Sequence, residues 1–428
     1  MPGFGSGISS VQRRAERLKK IIVVGGGAAG MLAAGTAARR GLQVTVVEHM
    51  ERTCKKILVT GKGRCNVTND CDPATVLKNV RGNPKFLYSA LNAFTPADTM
   101  ALMESLGVPL KTERGRRVFP VSDRAADIAD ALARYAGGCK VVFGEARAVT
   151  VTDGAAAGVL LADGRLLAAD GVLLATGGLS YPGTGSTGGG YRMARELGHS
   201  VVPTTASLVA LTAAGPARAE CRAMMGLSLR NMRLTLLEGD KPLYAEQGEM
   251  LFTHFGISGP LVLSASAYLR TETAKETRAV IDLKPALDEP TLYARVNRDF
   301  EKFANRDAAN SLSGLLPAGM VPVILARWGV PPDKKVNQIT REERRRLTGL
   351  LKGFEVPISG KDAIERAVVT AGGVSVREVS PRTMESKLVK NLHFAGELLD
   401  VDAYTGGYNL QIAFSTGYAA GTHILEEK

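Results

Sequence analysis

A glycine-rich turn between two apolar segments is the part of the sequence whose spacing most directly indicates chemistry. Gly25-Gly26-Gly27-Ala28-Ala29-Gly30 fits the pattern G-x-G-x-x-G. In this pattern Gly25 permits a tight turn, Gly27 lets the backbone approach a pyrophosphate, and Gly30 lets the next helix pack closely on the strand. Glu48 ends the following strand, 18 residues after Gly30, where an acid accepts hydrogen bonds from ribose hydroxyls. We predict a dinucleotide site here; the alternative is a glycine turn of another α/β fold.

Two later strands end in similar turns. Leu173-Leu174-Ala175 continues into Thr176-Gly177-Gly178, and Leu392–Ala395 continues into Gly396-Glu397. The first resembles the A-T-G motif of two-dinucleotide-binding flavoproteins, and the second lies where those proteins hold the ribityl chain and pyrophosphate. Three such elements in this order indicate FAD as the cofactor.

A second literal match to the glycine pattern, Gly183–Gly188, lacks the flanking features of the first. The helix after it, Tyr191–Leu197, leads to a strand near Val201 with no acid at its end. We therefore interpret Gly183–Gly188 as a loop over the cofactor.

Four longer segments resemble one bacterial family of FAD-dependent oxidoreductases, which includes aminoacetone oxidase-like proteins and the bile-acid 3-dehydro-Δ4,6-steroid reductase. They are Gly61–Asn69 (GKGRCNVTN), Val369–Val374, Thr383–Lys387 and Gly396–Gln411. The resemblance covers roughly residues 20–428. It implies an α/β fold, in which a two-dinucleotide-binding-type FAD domain (a parallel sheet with a β-meander) is interrupted by a β-barrel-like domain and a small helical domain.

The motifs and the resemblance together assign a set of residues to FAD binding. They are Gly25, Gly27, Ala28, Ala29, Gly30, Glu48, Lys56, Gly63, Arg64, Cys65, Asn66, Ala148, Thr176, Gly177, Gly178, Gly396, Glu397, Asp400, Gly407, Tyr408, Asn409, Leu410 and Gln411. Glu397 stands where other flavoproteins often have Asp, so its contact with the ribityl chain stays open. No metal-ligand spacing is present, and no metal is expected.

Arg64 and Cys65 each admit two interpretations. The Arg64 guanidinium suits a bidentate contact with pyrophosphate oxygens; the alternative is a surface arginine that caps a loop. Cys65 suits redox chemistry, but no second cysteine lies at C-x-x-C spacing, which favours a packed thiol.

The start of the last helix is a further candidate flavin contact. Gly406 and Gly407 permit close backbone approach, Asn409 and Gln411 supply amides, and the helix that begins near Tyr408 offers unpaired N–H groups. We expect this helix N-terminus to face the flavin; the alternative is a glycine turn that only starts a packed helix.

Catalytic residues are not assigned by any motif. His254 is a weak candidate for an acid or base, since a lone histidine is more often structural. Tyr181, Tyr404 and Tyr408 lie in segments expected near the flavin, where they would serve either catalysis or packing.

Composition excludes several classes of protein. Of the 428 residues, 45% are hydrophobic and 22% charged, as in a globular protein of two or three domains rather than a disordered or fibrous chain. Its 48 glycines and 5% aromatic residues favour close backbone approaches over a base-stacking surface. The net charge of +12 favours anionic ligands.

The sequence predicts strands and helices on both sides of these motifs. Strands are predicted at Lys20–Val24, Gln43–Val47, Gly171–Ala175 and Leu392–Ala395, and helices at Ala28–Arg40, Pro84–Leu106, Arg124–Tyr135 and Tyr408–Leu425. Four short strands between Lys140 and Ala168 are predicted to form the meander. The predicted domains are a flexible extension (1–19), the FAD domain (20–199 and 380–428), a β-barrel-like domain (200–285 and 351–379) and a helical subdomain (286–350).

Cysteine usage and hydropathy suggest a location. Five scattered cysteines indicate reduced thiols of a cytoplasmic protein, and no run of about 18 strongly apolar residues predicts a membrane span.

We expect an FAD-dependent oxidoreductase that takes electrons from NAD(P)H and passes hydride to a small organic acceptor with an enone- or steroid-like structure. The first alternative is an oxidase of a small amine such as aminoacetone, since a second dinucleotide fold for NAD(P)H is missing. An RNA-associated flavoprotein ranks lower: the charge favours it, but one tryptophan and dispersed arginines do not, so no nucleic-acid partner is expected. The substrate and the oligomeric state stay open.

Overall fold

The structure, a computed structural model, describes residues 18–269 and 273–426. Of the predicted extension, residues 1–17 lie outside the described residues. The strands are β1 (Lys20–Val24), β2 (Gln43–Glu48), β3 (Thr68–Asn69), β4 (Leu110–Glu113), β5 (Arg117–Pro120), β6 (Lys140–Phe143), β7 (Ala146–Thr152), β8 (Ala155–Leu161), β9 (Leu166–Ala168), β10 (Gly171–Leu174), β11 (Val201–Ser207), β12 (Leu211–Ala213), β13 (Ser228–Glu238), β14 (Lys241–Phe252), β15 (Gly256–Ser258), β16 (Thr273–Asp282), β17 (Phe354–Lys361), β18 (Val369–Val374) and β19 (Leu392–Phe394).

The helices are α1 (Ala28–Arg39), α2 (Pro73–Asn79), α3 (Tyr88–Ala93), α4 (Pro96–Ser105), α5 (Ala125–Tyr135), α6 (Gly189–Glu196), α7 (Ala217–Ala223), α8 (Pro260–Ser266), α9 (Glu289–Lys302), α10 (Ala308–Ser311), α11 (Val321–Trp328), α12 (Arg341–Lys352) and α13 (Tyr408–His423). A long 3-10 segment covers Lys55–Gly63.

A parallel sheet with the order β19-β10-β1-β2-β6 forms the centre of the part of the molecule that carries the Gly25–Gly30 turn, which we call the cofactor half. In β1 the apolar residues after Lys20 are all buried, as expected for a strand covered on both faces. β1 pairs with β10 on one side and with β2 on the other, with Ile22 opposite Val172 and Thr45. The carboxyl ends of β1, β2, β10 and β19 therefore lie together at one edge, where parallel sheets bind their ligands.

Two predicted elements differ from the structure. Lys140–Phe143 was expected in the meander, but it pairs with β2 as the edge strand of the parallel sheet, and the meander has only β7, β8 and β9. The strand follows helix α5, and such a crossover returns the chain parallel to β2. Pro84–Leu106 is not one helical segment either, because Thr95 and Asp98 form a capping box and Pro96 starts the new helix α4.

A closed barrel forms the second half, with the order β12-β15-β14-β13-β16-β17. The fold class predicted from sequence is thus confirmed. One hydrophobic cluster holds both the barrel interior, with Phe252 and Phe354, and the helices α9 to α12, with Phe300 and Trp328. The helical segment therefore packs on the barrel and shares its core. A separate cluster covers the parallel sheet and its helices. The domain boundaries stay predictions.

Candidate functional site

The turn between β1 and α1 needs its three glycines for three different reasons. Gly25 has a φ of +100°, and a Cβ there would lie 2.5 Å from the carbonyl oxygen of Ala175. A Cβ at Gly30 would lie 1.9 Å from the carbonyl oxygen of Gly25, so α1 rests directly on the turn. At Gly27, by contrast, a Cβ would meet no atom within 4 Å, and the residue lines an open cavity. Gly27 therefore leaves room for a ligand.

Polar groups at this turn suit a dinucleotide. Helix α1 has no side-chain cap, so the N–H groups of its first turn are available to an anion. Glu48 lines the cavity and is 9% exposed. One of its carboxylate oxygens accepts the N–H of Gly26 and the other that of Met50, both at 2.8 Å. Each oxygen keeps a free lone pair, which a ribose hydroxyl can use.

A second helix N-terminus lines the same cavity. Helix α13 begins after Gly407, whose φ is +96° and which packs so tightly on β3 that a Cβ would lie 2.3 Å from the Thr68 carbonyl group. The Asn66 amide fixes this turn: its oxygen accepts the Gly407 N–H at 2.9 Å, and its nitrogen donates to the Thr68 oxygen at 3.0 Å. Residues 407–410 all line the cavity. The start of α13 is thus held in place to offer N–H groups to a ligand.

A partly buried ion pair lies in the cavity wall. Lys56 Nζ lies 2.7 Å from Glu397 Oε2 and 2.6 Å from the Ser180 hydroxyl. Glu397 Oε1 accepts the Thr370 N–H at 2.8 Å and lies 3.0 Å from the same hydroxyl. Glu397 is therefore already held by three groups of the protein, and it fixes the Lys56 ammonium in the wall.

These elements enclose a cavity of about 1360 Å³. Sites for single small molecules usually measure about 300–1,000 Å³, so this cavity has room for a large cofactor and a substrate together. The predicted residues in its wall are Gly25, Gly27, Ala28, Ala29, Glu48, Lys56, Arg64, Asn66, Thr176, Gly177, Gly396, Glu397, Gly407, Tyr408, Asn409 and Leu410. The Gly183–Gly188 loop also contributes to the wall, through its residues 184–188.

The residues present fit FAD. The turn at Gly27 has open space in front of it, and two uncapped helix N-termini face the cavity. In addition, the buried hydroxyl of Thr176, at the end of β10, has no hydrogen-bond partner in the described part of the chain. Such a group in a cavity wall is expected to find its partner in a ligand.

Other predicted site residues are not in the wall. They are Gly30, Gly63, Cys65, Ala148, Gly178, Asp400, Gln411 and the candidate acid/base His254. Ala148 pairs with Leu160 in the meander. Gln411 is fully buried and accepts hydrogen bonds from the hydroxyls of Thr68 and Thr99. Asn409 does line the cavity, but its amide is bonded to the backbone of Ala403. Direct cofactor contacts of these residues stay predictions.

The environments of Arg64 and Cys65 favour a structural role for both residues: an arginine that holds a loop, and a packed thiol. Arg64 lines the cavity, but its guanidinium is bonded to the carboxylates of Asp123 and Glu113 and lies over the Phe119 ring. A pyrophosphate would have to compete with both acids. Cys65 is fully buried, and burial raises the pKa of its thiol to about 12, so the reactive thiolate does not form near neutral pH.

The sequence did not identify one whole side of the cavity. Tyr244, Met250 and Leu261 come from β14 and α8 of the barrel half, and Arg114 and Arg117 come from the β4–β5 hairpin. The run Arg114-Gly115-Arg116-Arg117 between two short apolar strands is a signal that could have indicated the hairpin. The barrel residues carry no local signal, because only tertiary packing brings them to the cofactor half.

Glu48→Ala is expected to weaken FAD binding, because it removes the acceptor for ribose and leaves the N–H groups of Gly26 and Met50 without their partner. Each hydrogen bond to a charged group contributes about 1.5–3 kcal/mol. Titration of FAD into apoprotein measures the effect, and Glu48→Gln, which keeps one carbonyl oxygen, should lie between Glu48→Ala and the wild type. Equal affinities in all three proteins would contradict the ribose role.

A parallel sheet, a glycine turn, an acid at the end of β2 and a large cavity define a Rossmann-type dinucleotide-binding protein with an inserted barrel. The chain matches the HI0933-like protein Rossmann domain over residues 19–423 and belongs to that family. The resemblance found in the sequence is confirmed, and the protein is an FAD-dependent oxidoreductase.

Two relatives are equally similar to this chain in sequence but have different activities. The chain is 32% identical over 414 residues to the 3-dehydro-bile acid delta(4,6)-reductase of Clostridium scindens, covering 96% of this chain and 100% of that protein. It is also 32% identical over 415 residues to the ribosomal RNA dihydrouridine synthase of Escherichia coli K12, covering 96% and 99%. A solved structure, the 3-ketosteroid-delta4-(5alpha)-dehydrogenase of Rhodococcus jostii RHA1 in complex with 4-androstene-3,17-dione, is 15% identical with a TM-score of 0.48, covering 98% and 99%. Sequence identity alone therefore does not indicate which substrate this protein uses.

Within residues 18–269 and 273–426, no helix has the length and apolar character needed to cross a membrane. Nor do these residues contain three or more His, Cys, Asp or Glu side chains grouped to hold a metal ion.

Proposed function

We propose that this protein reduces the 5,6 double bond of a uridine in RNA with electrons from NAD(P)H. The activities of the two relatives share one chemical feature. Both a 3-oxo steroid with a Δ4 double bond and a uracil ring contain a carbon–carbon double bond conjugated to a carbonyl group. Reduction of either adds hydride to the β-carbon and a proton to the α-carbon. The family therefore supports the reaction, and the substrate has to be argued from the cavity.

The observation that carries the choice of RNA is a basic rim, which we define as Lys62, Arg114 and Arg117. All three side chains are exposed and line the cavity. In the described part of the chain none of them forms an ion pair with a carboxylate. Other basic residues nearby are neutralised, as Lys55 is by Glu51. Three cations without an ion pair in one cavity wall suit a polyanion with successive phosphates, whereas a bile acid offers at most one carboxylate. Exposed Glu145, Glu246 and Glu249 line the same cavity, so the choice depends on these three cations and not on the net charge of the wall.

This proposal departs from the expectation that no nucleic acid binds. That expectation rests on a single tryptophan and on arginines dispersed along the sequence. The fold brings Lys62, from the 3-10 segment, and Arg114 and Arg117, from the β4–β5 hairpin, to the wall of one cavity. Dispersion in sequence is therefore no argument against a local basic surface.

Each part of the cavity has a separate task in the proposed reaction. The N–H groups of the α1 N-terminus bind the FAD pyrophosphate, Glu48 binds the adenosine ribose, and the α13 N-terminus faces the flavin end. When bound, FAD supplies the hydride after it has accepted electrons from NAD(P)H. The basic rim holds phosphates of the RNA, and apolar side chains of the barrel wall, such as Met250 and Leu261, exclude water from the reacting base.

A direct assay tests the proposed function. The FAD-loaded protein is mixed anaerobically with NADH or NADPH and with an unmodified ribosomal RNA transcript, and uridines that have gained two hydrogens are identified by mass spectrometry. In parallel, loss of dienone absorbance is followed with a 3-oxo-4,6-diene bile acid. We expect reduction of RNA at a defined position. Reduction of the bile acid with no change in the RNA would refute the proposal.

A steroid-like acceptor is the second candidate, and one observation favours it. The barrel side of the cavity presents Met250, Leu251, Leu261 and Leu263 together, an apolar wall of the kind that binds a fused hydrocarbon ring system. The bile-acid arm of the assay decides between the two substrates.

Replacing the basic rim is expected to weaken RNA binding and to leave FAD binding unchanged. The triple variant Lys62→Gln, Arg114→Gln, Arg117→Gln should make the plot of log affinity against log salt shallower, by about 0.7 for each phosphate of single-stranded RNA that the protein no longer neutralises. A triple variant at Arg298, Arg341 and Arg345, which are exposed on α9 and α12, removes the same charge elsewhere. If both variants reduce the salt dependence equally, the effect is one of net charge and the rim is not the RNA site.

A further inference from the structure

Two phenol groups are in direct contact beside the cavity. The Tyr404 and Tyr268 hydroxyls are hydrogen-bonded to each other, and their rings are stacked with centroids 5.9 Å apart. Tyr404 lies in the loop before α13 and lines the cavity; Tyr268 lies just after α8 and does not. The pair therefore joins the cofactor half to the barrel half at the cavity wall.

A cation lies over the second phenol. The Arg81 guanidinium carbon is 3.7 Å from the centroid of the Tyr268 ring and 5.7 Å from that of Tyr404. Within the described residues no carboxylate lies at ion-pair distance from Arg81, although buried Asp402, which is bonded to Ser207, is close enough to interact with it. Arg81 is exposed and Tyr268 is half-buried. A continuous path thus leads from the cavity through Tyr404 and Tyr268 to a solvated cation.

The Tyr404 side chain is held in position by its own loop. Its backbone N–H donates to the Asn79 carbonyl at 3.0 Å. The Asn409 amide accepts the Ala403 N–H at 2.9 Å and donates to the carbonyls of Ala403 and Tyr404 at 2.8 and 3.2 Å. Asn409, which the sequence suggested as a flavin contact, therefore fixes the backbone of Tyr404, which lines the cavity.

Several other proton donors in the wall are engaged or exposed, and half-buried Tyr408 also lines the wall, but within the described residues no second phenol is paired with it. Tyr244 is bonded to Glu246, and Lys56 is held by Glu397 and Ser180. Tyr181 is 39% exposed, and His254 is not in the wall. Tyr404 is the wall phenol whose hydroxyl has a second phenol behind it, through which a proton can be replaced.

We propose that Tyr404 donates the proton that completes the reduction of the conjugated double bond, that Tyr268 replaces this proton, and that Arg81 stabilises the negative charge that arises on the phenols meanwhile. The step rests on the proposed function. As hydride forms the new C–H bond at the β-carbon, the π-electron pair moves toward the carbonyl group. The α-carbon then takes the proton from the Tyr404 O–H group, and that O–H bond breaks. Tyr404 regains a proton from the Tyr268 hydroxyl, and Tyr268 from water. One NAD(P)H and one solvent proton are consumed for each double bond.

The positive charge of Arg81 explains how the two phenols can pass the proton on. While the proton is being replaced, negative charge resides on one of the two phenol oxygens. A guanidinium over the aromatic face stabilises the electron-rich ring of a phenolate more than that of a phenol. General acid catalysis of this kind contributes about 10²–10⁴-fold to a rate.

The test separates the two half-reactions in the FAD-loaded protein. We expect Tyr404→Phe to bind FAD and to be reduced by NAD(P)H at the wild-type rate, and to be reoxidised by the unsaturated substrate about 10²–10⁴-fold more slowly. Tyr268→Phe and Arg81→Gln should each slow only reoxidation, by less than Tyr404→Phe. In D₂O the wild-type product should carry deuterium at the α-carbon, and reoxidation should show a solvent isotope effect that is altered in Tyr268→Phe. Tyr88→Phe, which removes an exposed phenol outside the cavity wall, is the matched control.

Each outcome has one meaning. Wild-type protein whose reduced flavin is not reoxidised by the RNA contradicts the proposed function itself, whether or not the bile acid reoxidises it. Wild-type protein that is reoxidised by the RNA, together with a Tyr404→Phe variant whose reoxidation stays within about twofold, overturns the proton relay and leaves the function standing. If Tyr404→Phe loses FAD, Tyr268→Phe decides, because Tyr268 is outside the wall: an unchanged reoxidation rate and isotope effect in that variant would overturn the relay.

Discussion

Gly27→Val is expected to give a folded protein that does not retain FAD. Gly27 has φ −81° and ψ −168°, an extended conformation that valine adopts without strain. A Cβ at this position meets no protein atom within 4 Å, so the substitution adds no clash inside the protein. The added side chain instead occupies the space in front of the α1 N-terminus, where the pyrophosphate has to approach the backbone.

The expected measurement is a colourless purified protein, with a flavin content near zero and an unfolding temperature equal to that of wild-type apoprotein. Gly30→Val is the comparison within the same turn. A Cβ there would lie 1.9 Å from the Gly25 carbonyl oxygen, so this variant should be destabilised even as apoprotein. A yellow Gly27→Val protein with full flavin content would show that the cofactor does not lie at this turn.

The different roles of Gly27 and Gly30 could be predicted from sequence because both residues lie in one continuous strand-turn-helix unit. The roles of Gly25, Gly27 and Gly30 depend on the backbone of one strand, one turn and one helix, which follow each other directly between Lys20 and Arg39. Local backbone geometry is encoded locally. Glu48 follows from the same unit, since the β-turn-α-β order places its strand beside β1.

The tyrosine pair and the basic rim could not be predicted in this way. Tyr268 and Tyr404 are separated by 136 residues; Tyr268 packs against the barrel core, whereas Tyr404 lies in the loop before α13. Gln411 shows the limit of motifs: its position in a specific motif predicts a cofactor contact, whereas the partners that the structure shows for it, Thr68 and Thr99, are more than 300 residues earlier in the chain. A polar residue in a motif can serve the cofactor or hold the fold, and only its tertiary partners distinguish the two roles.

Gly417→Ala is expected to destabilise the protein and to weaken FAD binding, although alanine favours helix over glycine by about 1 kcal/mol. Gly417 lies in α13 against α1, and a Cβ there would be 2.4 Å from the Ala29 carbonyl oxygen. One turn later, a Cβ at Gly421 would be 2.5 Å from the Ala33 carbonyl oxygen. The two helices therefore cross with their backbones in contact, and an added methyl group has to push them apart. Overpacking of this kind costs about 1–3 kcal/mol.

The effect on FAD follows from what the two helices carry. The N-termini of α1 and α13 both line the cavity, so a shift of one helix against the other changes the distance between the two helix N-termini that we expect to hold the cofactor. Gly349→Ala is the matched control, because Gly349 is an exposed helical glycine of α12 whose Cβ would meet nothing within 4 Å. It should stabilise the protein by about 0.4–1 kcal/mol and leave FAD affinity unchanged. Denaturant unfolding of both apoproteins, with FAD titration, measures the two effects. Changes of the same sign in both variants would mean that helix propensity, and not the α1–α13 contact, governs the response.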